Sequence, residues 1–316
     1  MDVFGAALEA RGFLADAAVA AGHEIGVFEA LAGGGPGPLA AVAARVGVSA
    51  GHRLRALLDV LAALGAIRCE RGGGEPRFAA GEAAPARPEV PPAGWGRLAE
   101  VIRRDRPLPA EPDGGALRRL HHHLASAGAA AAGELAATLG AGSLLDLGAG
   151  AGAYSKAFLD ANPAGRATLV DTAEILALAA AWLGPLAARA RWIAGDAAEV
   201  DLGDGHGAAL LANLLHLHSP AMCARLVAAA ARAVAPGGVV VIKDLRVDDG
   251  RAGPIEGLLF ALNMAIYTEA GDVYSTAQLR AWLAEAGLIG VAERRLVAAP
   301  DAIVVTARRP AIPGDR

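Results

Sequence analysis

Apolar positions repeat along this chain with two different periods. From residue 3 to about residue 32 they come at helical spacing, with Phe4, Leu8, Phe13 and Leu14 in one pattern and Ile25, Val27, Phe28 and Leu31 in the next, until Gly33-Gly34-Gly35-Pro36 stops them. Residues 38–46 predict a short helix, Gly47-Val48-Ser49 a turn, and residues 50–64 a longer helix with Leu54, Leu57, Leu58, Leu61 and Leu64 on one side. Strand-like residues 66–70 and 77–79 flank Gly72-Gly73-Gly74, which reads as a hairpin tip. Helix, turn, helix and hairpin in this order predict a winged helix-turn-helix.

Residues 81–112 break the pattern with prolines at 85, 88, 91, 92, 107, 109 and 112, and read as a linker in which Trp95, Leu98 and Ile102 keep helical spacing. Residues 117–139 read as one helix carrying His121, His122 and His123. Neighbours on a helix point about 100° apart, so the three cannot ligate one metal; the tract reads as a polar face, with His122 expected to line a ligand pocket and no metal site expected.

Further on, short apolar runs at 144–147, 167–170, 191–194, 208–213 and 239–242 alternate with helical stretches, the signature of a mostly parallel sheet. Residues 258–267 predict an apolar helix and 276–286 an amphipathic one. Residues 297–308 alternate enough to close the sheet, with an antiparallel direction open to them.

The stretch LLDLGAGAGAYS, residues 144–155, is a strand, a glycine turn and a helix start. Glycine at 148, 150 and 152 lets the backbone turn and lets a ligand reach the main chain, and the helix N-terminus adds unpaired N–H groups. A nucleotide-like ligand with an anionic end fits this turn. Gly148, Gly150 and Ala153 also satisfy G-x-G-x-x-G/A, so a nicotinamide dinucleotide competes, as does a tight turn that binds nothing. Asp171 ends the next apolar strand, where an acceptor for ribose hydroxyls is needed; the third strand ends in Gly195-Asp196, and Pro236-Gly237-Gly238 reads as a turn feeding the strand at 239–242.

In this order and spacing, LLDLGAGAG, LVD, AGDA and APGGVVVIKD resemble the Rossmann-like S-adenosylmethionine-dependent methyltransferases. ANLLHLHSPAMCARLVAAAARAVAPGG and LLFALNMAIYTEAGDVYSTAQLRAWLAEAGL resemble the plant-type O-methyltransferases and their bacterial small-molecule branch, and the resemblance covers nearly the whole chain. It implies an α/β fold, a Rossmann-like class I methyltransferase sheet behind an N-terminal α-helical winged-helix dimerisation domain. Residues 1–84 would form the dimerisation domain, 85–116 the linker and 117–316 the catalytic domain. It also implies S-adenosylmethionine as cofactor, a homodimer, and methyl transfer to a small conjugated or aromatic metabolite, chiefly at oxygen. Carbon or nitrogen acceptors are alternatives, and so is a non-catalytic ligand-binding regulator.

Methyl transfer from a sulfonium is an in-line displacement, so a base is expected at the C-terminal edge of the sheet when the acceptor is a hydroxyl. The family's H-D-W-S-D segment reads His216-Leu217-His218-Ser219-Pro220 here. The resemblance assigns His216 as base and Asp244 as the acid that orients it, while His218 also could face the pocket. A second family acid would fall on Val273 and is absent; Tyr274 beside it belongs to the pattern GDVYS, associated with bacterial relatives of varied substrates. For the cofactor the implied residues are Asp171 on the ribose, Asp196 on the adenine edge, Gly148, Gly150 and Gly152 against the methionine portion, Asp146 behind its amino end, and Asn213. His122, His218, Asn263, Met264, Tyr267 and Tyr274 are the implied substrate residues.

Composition narrows the alternatives. With 29 Lys and Arg against 33 Asp and Glu, the net charge of −4 argues against a broad phosphate-binding surface. His52, Arg53 and Arg55 at the start of the candidate recognition helix are the only footprint that invites DNA, and no nucleic-acid partner is expected. Cys69 and Cys223 read as reduced core residues, in keeping with a cytoplasmic protein. No signal peptide and no membrane span is expected.

Overall fold

The computed structural model describes residues 3–72, 74–109, 114–140 and 142–311, with side chains described for 12–72, 74–109, 121–140 and 142–311. The expected packing of Phe4 and Leu8 lies outside the described side chains, and Gly73 and Pro112 lie outside the described residues. In chain order the elements are α1 (Val3–Glu24), α2 (Val27–Gly34), β1 (Gly37–Pro38), α3 (Leu39–Val46), α4 (His52–Ala63), β2 (Ile67–Glu70), β3 (Arg77–Ala80), a 3-10 turn (Gly94–Arg97) and α5 (Leu98–Arg104). Then follow α6 (Gly114–Ala136), β4 (Ser143–Leu147), α7 (Ala153–Ala161), β5 (Arg166–Asp171), α8 (Ala173–Leu183), β6 (Ala190–Ala194) and β7 (His206–Ala212). A 3-10 turn (Leu215–Leu217), α9 (Pro220–Ala233), β8 (Val234–Leu245), α10 (Ile255–Tyr267), α11 (Thr276–Glu285), β9 (Ile289–Arg294) and β10 (Ala302–Arg308) complete it.

The chain divides into two compact units, residues 1–110 with 247–275, and residues 111–246 with 276–316. In the first, Leu54, Leu57, Leu58 and Leu61 of α4 are buried as their spacing predicts, whereas Leu64 caps the helix end and is exposed. The hairpin β2–β3 pairs from Ile67↔Ala80 to Glu70↔Arg77, and the two-residue β1 adds to β3 in the order β1-β3-β2. This is the winged arrangement read from the sequence, with one short strand that no alternation could announce.

Residues 247–275 group with this first unit, where the sequence reading placed them in the catalytic part. Polar bonds explain the grouping. Arg53 on α4, 3% exposed, donates to the carbonyls of Ala265, Thr268 and Glu269 and pairs with Asp105. Asp59, fully buried one turn beyond Arg55 on α4, accepts from Arg55 at 2.9 Å and from Arg251 at 2.6 Å, and Arg251 also bridges to Asp272. Two of the three basic-footprint side chains, Arg53 and Arg55, thus hold the unit together internally.

The second unit is a seven-stranded sheet in the order β6-β5-β4-β7-β8-β10-β9. β6, β5, β4, β7 and β8 run parallel, and β10 pairs antiparallel with both β8 and β9. The antiparallel closing strand was open in the sequence; it starts only at Ala302, after a loop in which Val297 is exposed, and β9 is an additional edge strand. Pro236-Gly237-Gly238 proves to lie inside β8, where the register against β7 shifts between His206↔Val234 and Ala208↔Val239. It is a bulge in a strand that continues, rather than a turn before one. The strand order reverses beside β4, the place where ligands bind such sheets, outside the carboxyl ends of the strands.

Candidate active site

The carboxyl ends of β4, β5, β6, β7 and β8 carry in turn the glycine loop, Asp171, Asp196, Asn213 and Asp244. The three loop glycines differ in purpose. A Cβ on Gly148 would meet Leu214 Cδ1 at 2.7 Å, and one on Gly152 would meet Leu183 Cδ1 at the same distance, so both are small because the protein itself packs on them. Gly150, at φ +55°, has only the His121 ring nearby, 3.6 Å from where a Cβ would sit. The ligand-approach role assigned to all three therefore fits Gly150 best.

Asp171 closes the loop: one carboxylate oxygen accepts the Gly150 N–H at 2.9 Å and the other the Thr172 N–H at 2.7 Å. A carboxylate has about four acceptor sites, so capacity for ribose hydroxyls remains. Asp146, buried at the end of β4, accepts from Ser155 Oγ at 2.6 Å. Burial pushes its carboxyl up to about 7, the charge of Asp171 adding to this and the Ser155 hydrogen bonds opposing it. Asp196 turns its carboxylate to the Ala198 N–H and sits close enough to His218 to raise that imidazole's pKa, although burial, the larger effect, lowers it.

His216 occupies a 3-10 turn after β7 and is 7% exposed. Its Nδ1 lies 2.6 Å from Asp244 Oδ1, its backbone N–H donates to Asp244 Oδ2 at 3.2 Å, and Asp244 Oδ1 also accepts the Leu245 N–H. A carboxylate opposite Nδ1 favours the neutral tautomer that carries its proton there. An imidazole held in place by a carboxylate results, a geometry chemically suited to accepting a proton.

The histidine tract resolves by one residue. His121 stands over Gly150, while His122 presents its ring edge-on to Trp182 of α8, with centroids 5.4 Å apart. The place beside the glycine loop belongs to His121, because one step along a helix turns a side chain by about 100°. Asn263, Met264, Tyr267 and Tyr274 belong to the first unit. There Asn263 Oδ1 accepts from Trp95 Nε1 at 3.0 Å, Met264 and Tyr274 are buried, and Tyr267 is half exposed with its hydroxyl near Gly94. Val273 is wholly buried, as its apolar side chain requires.

Three polar side chains escaped the sequence reading. Ser155 donates to Asp146, Lys243 donates to Asn213, and Tyr154 lies close enough to Asn213 for that amide to oppose the rise that burial imposes on the phenol's pKa. A lysine inside the apolar run VVVIKD was the available signal. Among the described residues, no group of three or more His, Cys, Asp or Glu could hold a metal ion, and no helix is long and apolar enough to cross a membrane. Cys69 and Cys223 are free thiols, the latter buried; Cys69 is half-buried rather than in the core.

An O-methyltransferase domain model matches residues 127–289, more than half of the chain, and an O-methyltransferase dimerisation domain model matches residues 9–86. The chain belongs to the O-methyltransferase family. Members of this family use S-adenosylmethionine, and methyl transfer to oxygen is the reaction class that comes with it. The chain is 30% identical over 207 residues to the 3-hydroxy-5-methyl-1-naphthoate 3-O-methyltransferase of Streptomyces sahachiroi, a match covering 61% of this chain and 60% of that protein. It is 29% identical over 328 residues to the acetylserotonin O-methyltransferase of Mus musculus molossinus, covering 90% and 84% respectively. In structure it is similar to an O-methyltransferase family 2 protein from Planctomyces limnophilus in complex with apigenin, with a TM-score of 0.77, 25% identity, and 98% and 96% of the two chains covered. Gly150, Asp171 and Asp196 at the switch point suit S-adenosylmethionine, and the family excludes the nicotinamide alternative.

Proposed function

We propose that this methyltransferase acts on a hydroxyl of a small conjugated or aromatic metabolite, with His216 Nε2 as the general base and Asp244 as its orienting partner. The observation that carries this reading is the buried 2.6 Å contact between His216 Nδ1 and Asp244 Oδ1. When bound, S-adenosylmethionine supplies an activated methyl group. The protein's own part is to hold the acceptor in line, exclude water and accept the hydroxyl proton at His216 Nε2, leaving an imidazolium that the Asp244 carboxylate stabilises. Gly150 and Asp171 would hold the methionine and ribose portions, Asp196 the adenine edge. The substrate class is supported by a relative named for a hydroxynaphthoate and a structural neighbour that contains apigenin. A homodimer built through residues 9–86 is part of the same proposal, supported by the dimerisation-domain match.

The test is His216→Ala with apigenin and 3-hydroxy-2-naphthoate as acceptors and methyl-labelled cofactor. Turnover is expected to fall about 10²-fold or more while calorimetric affinity for S-adenosylmethionine is retained, and Asp244→Asn to fall about 10-fold or more in the same pattern. Unchanged turnover in His216→Ala would show that the acceptor needs no base from this histidine.

A further inference from the structure

Lys243 is a buried cation for which the reaction as described has no use. It lies in β8 with 7% of its surface exposed, paired with Ala212 at the end of β7. Its Nζ donates to Asn213 Oδ1 at 2.7 Å, and its carbonyl accepts the Asn213 N–H at 2.8 Å. Asn213 thus meets one residue through both side chain and backbone. Asn213 sits at φ +54°, one of three described non-glycine residues in the left-handed region, a conformation that persists where surroundings hold it. Its side chain also lies close enough to Tyr154 on α7, the helix that follows the glycine loop, to oppose the rise that burial imposes on the phenol's pKa. The next residue, Leu214, fills the space over Gly148. The residue two further on is His216.

The turn 213–216 is therefore bonded at its start to β8 and packed on the glycine loop, and bonded at its end to Asp244. Lys243 and Asp244 are neighbours on one strand, and side chains alternate across a strand, so the two fastenings come from opposite faces of β8. Burial pushes the Lys243 ammonium's pKa down, with Asp244 opposing, so the position is one where a charge is kept at some disadvantage.

We propose that Lys243 is a positioning residue for the reaction: by holding Asn213 in its left-handed turn it sets the orientation in which His216 meets Asp244. This rests on the reading of His216 as the base. The Lys243 ammonium is bonded to Asn213, so in this role it acts through Asn213 rather than on the reacting atoms.

The experiment reads the His216 ring directly, by nitrogen NMR of the full-length chain labelled at histidine, with His216 assigned by its loss in His216→Ala. In the unsubstituted protein the neutral ring is expected to be protonated at Nδ1. Lys243→Met is expected to reduce the ratio of that tautomer to the Nε2-protonated one by about 10-fold, the scale of one charge-assisted hydrogen bond. Asn213→Gly keeps a residue that tolerates positive φ but removes Oδ1, and is expected to reproduce the same change. The double variant should be no worse than either single, as for two members of one interaction. If Lys243→Met does not fold, Asn213→Gly decides alone. An unchanged tautomer ratio in Asn213→Gly, or effects that multiply in the double variant, overturns the proposal. Protonation at Nε2 in the unsubstituted protein overturns instead the reading of His216 as base, so the two failures are told apart.

Discussion

Asp146 is the residue at which the glycine loop and stability are in conflict. Its carboxylate is fully buried beside Ser155, and its pKa is raised from 3.8 to about 7 chiefly by that burial. The folded chain therefore holds a proton that the unfolded chain has lost between about pH 4 and pH 7. Stability from this group is complete below pH 4 and is lost as pH rises through 7. Asp146→Asn keeps an acceptor for Ser155 and removes the charge. Its melting temperature is expected to exceed that of the unsubstituted protein at pH 8, by an amount equivalent to about 1–4 kcal/mol, with the gap closing toward pH 4. Thermal melts at constant ionic strength measure this, and a gap independent of pH would mean that buried charge is not the cause. At this scale the sequence told which acids sit at strand ends but not how they are satisfied. Asp171 turns out to hold the Gly150 N–H, and His121 rather than His122 reaches the loop, because a helical face cannot be fixed to one residue from an Ala-rich sequence with little contrast between sides.

At the scale of elements, α4 is held by charge as well as by its leucines. Asp59 is fully buried and is approached by Arg55 at 2.9 Å, Arg251 at 2.6 Å and Arg71 at 3.9 Å. Removing one member of a buried ionic group leaves the others uncompensated, at a cost of about 3–5 kcal/mol. Asp59→Ala is expected to lose that much in urea denaturation, whereas Arg71→Ala, a longer and partly exposed pair, should lose about 1 kcal/mol or less. Equal losses would show that the interaction does not centre on Arg55 and Arg251. Nothing in local patterning connects Asp59 with Arg251, 192 positions later, and so the grouping of 247–275 with the first unit was not legible. The parallel strands were, because buried runs such as LLDL and TLVD end in Gly or Asp. β9 leaves no alternation in the sequence because most of its residues face solvent, and the bulge at Gly237 reads as a turn because Pro-Gly-Gly is chemically the same signal for either. His216 and Asp244 were placed through the family resemblance, their spacing being without meaning of its own.

For the molecule as a whole, the two units are not two lengths of chain. The catalytic unit is interrupted by residues 247–275, whose partners lie in residues 1–110. A fragment of residues 111–316 would keep α10 while losing α4, and with it the Arg53 side chain that donates to the Ala265, Thr268 and Glu269 carbonyls. The apolar side chains of α10 that are buried in the intact chain, Leu258, Leu262 and Ile266 among them, would lose part of their cover, at roughly 25 cal/mol per Å² of apolar surface returned to water. The fragment is expected to elute as aggregate in size-exclusion chromatography and to lack a cooperative melt, even though it contains every strand of the seven-stranded sheet and every residue assigned to the cofactor. A fragment in which residues 247–275 are also replaced, by a short Gly-Ser linker from 246 to 276, should recover solubility and a cooperative transition if the exposed α10 surface is the cause. If the simple fragment melts cooperatively as a monomer, the partners of α10 contribute little, and the division of the molecule follows the order of the chain after all.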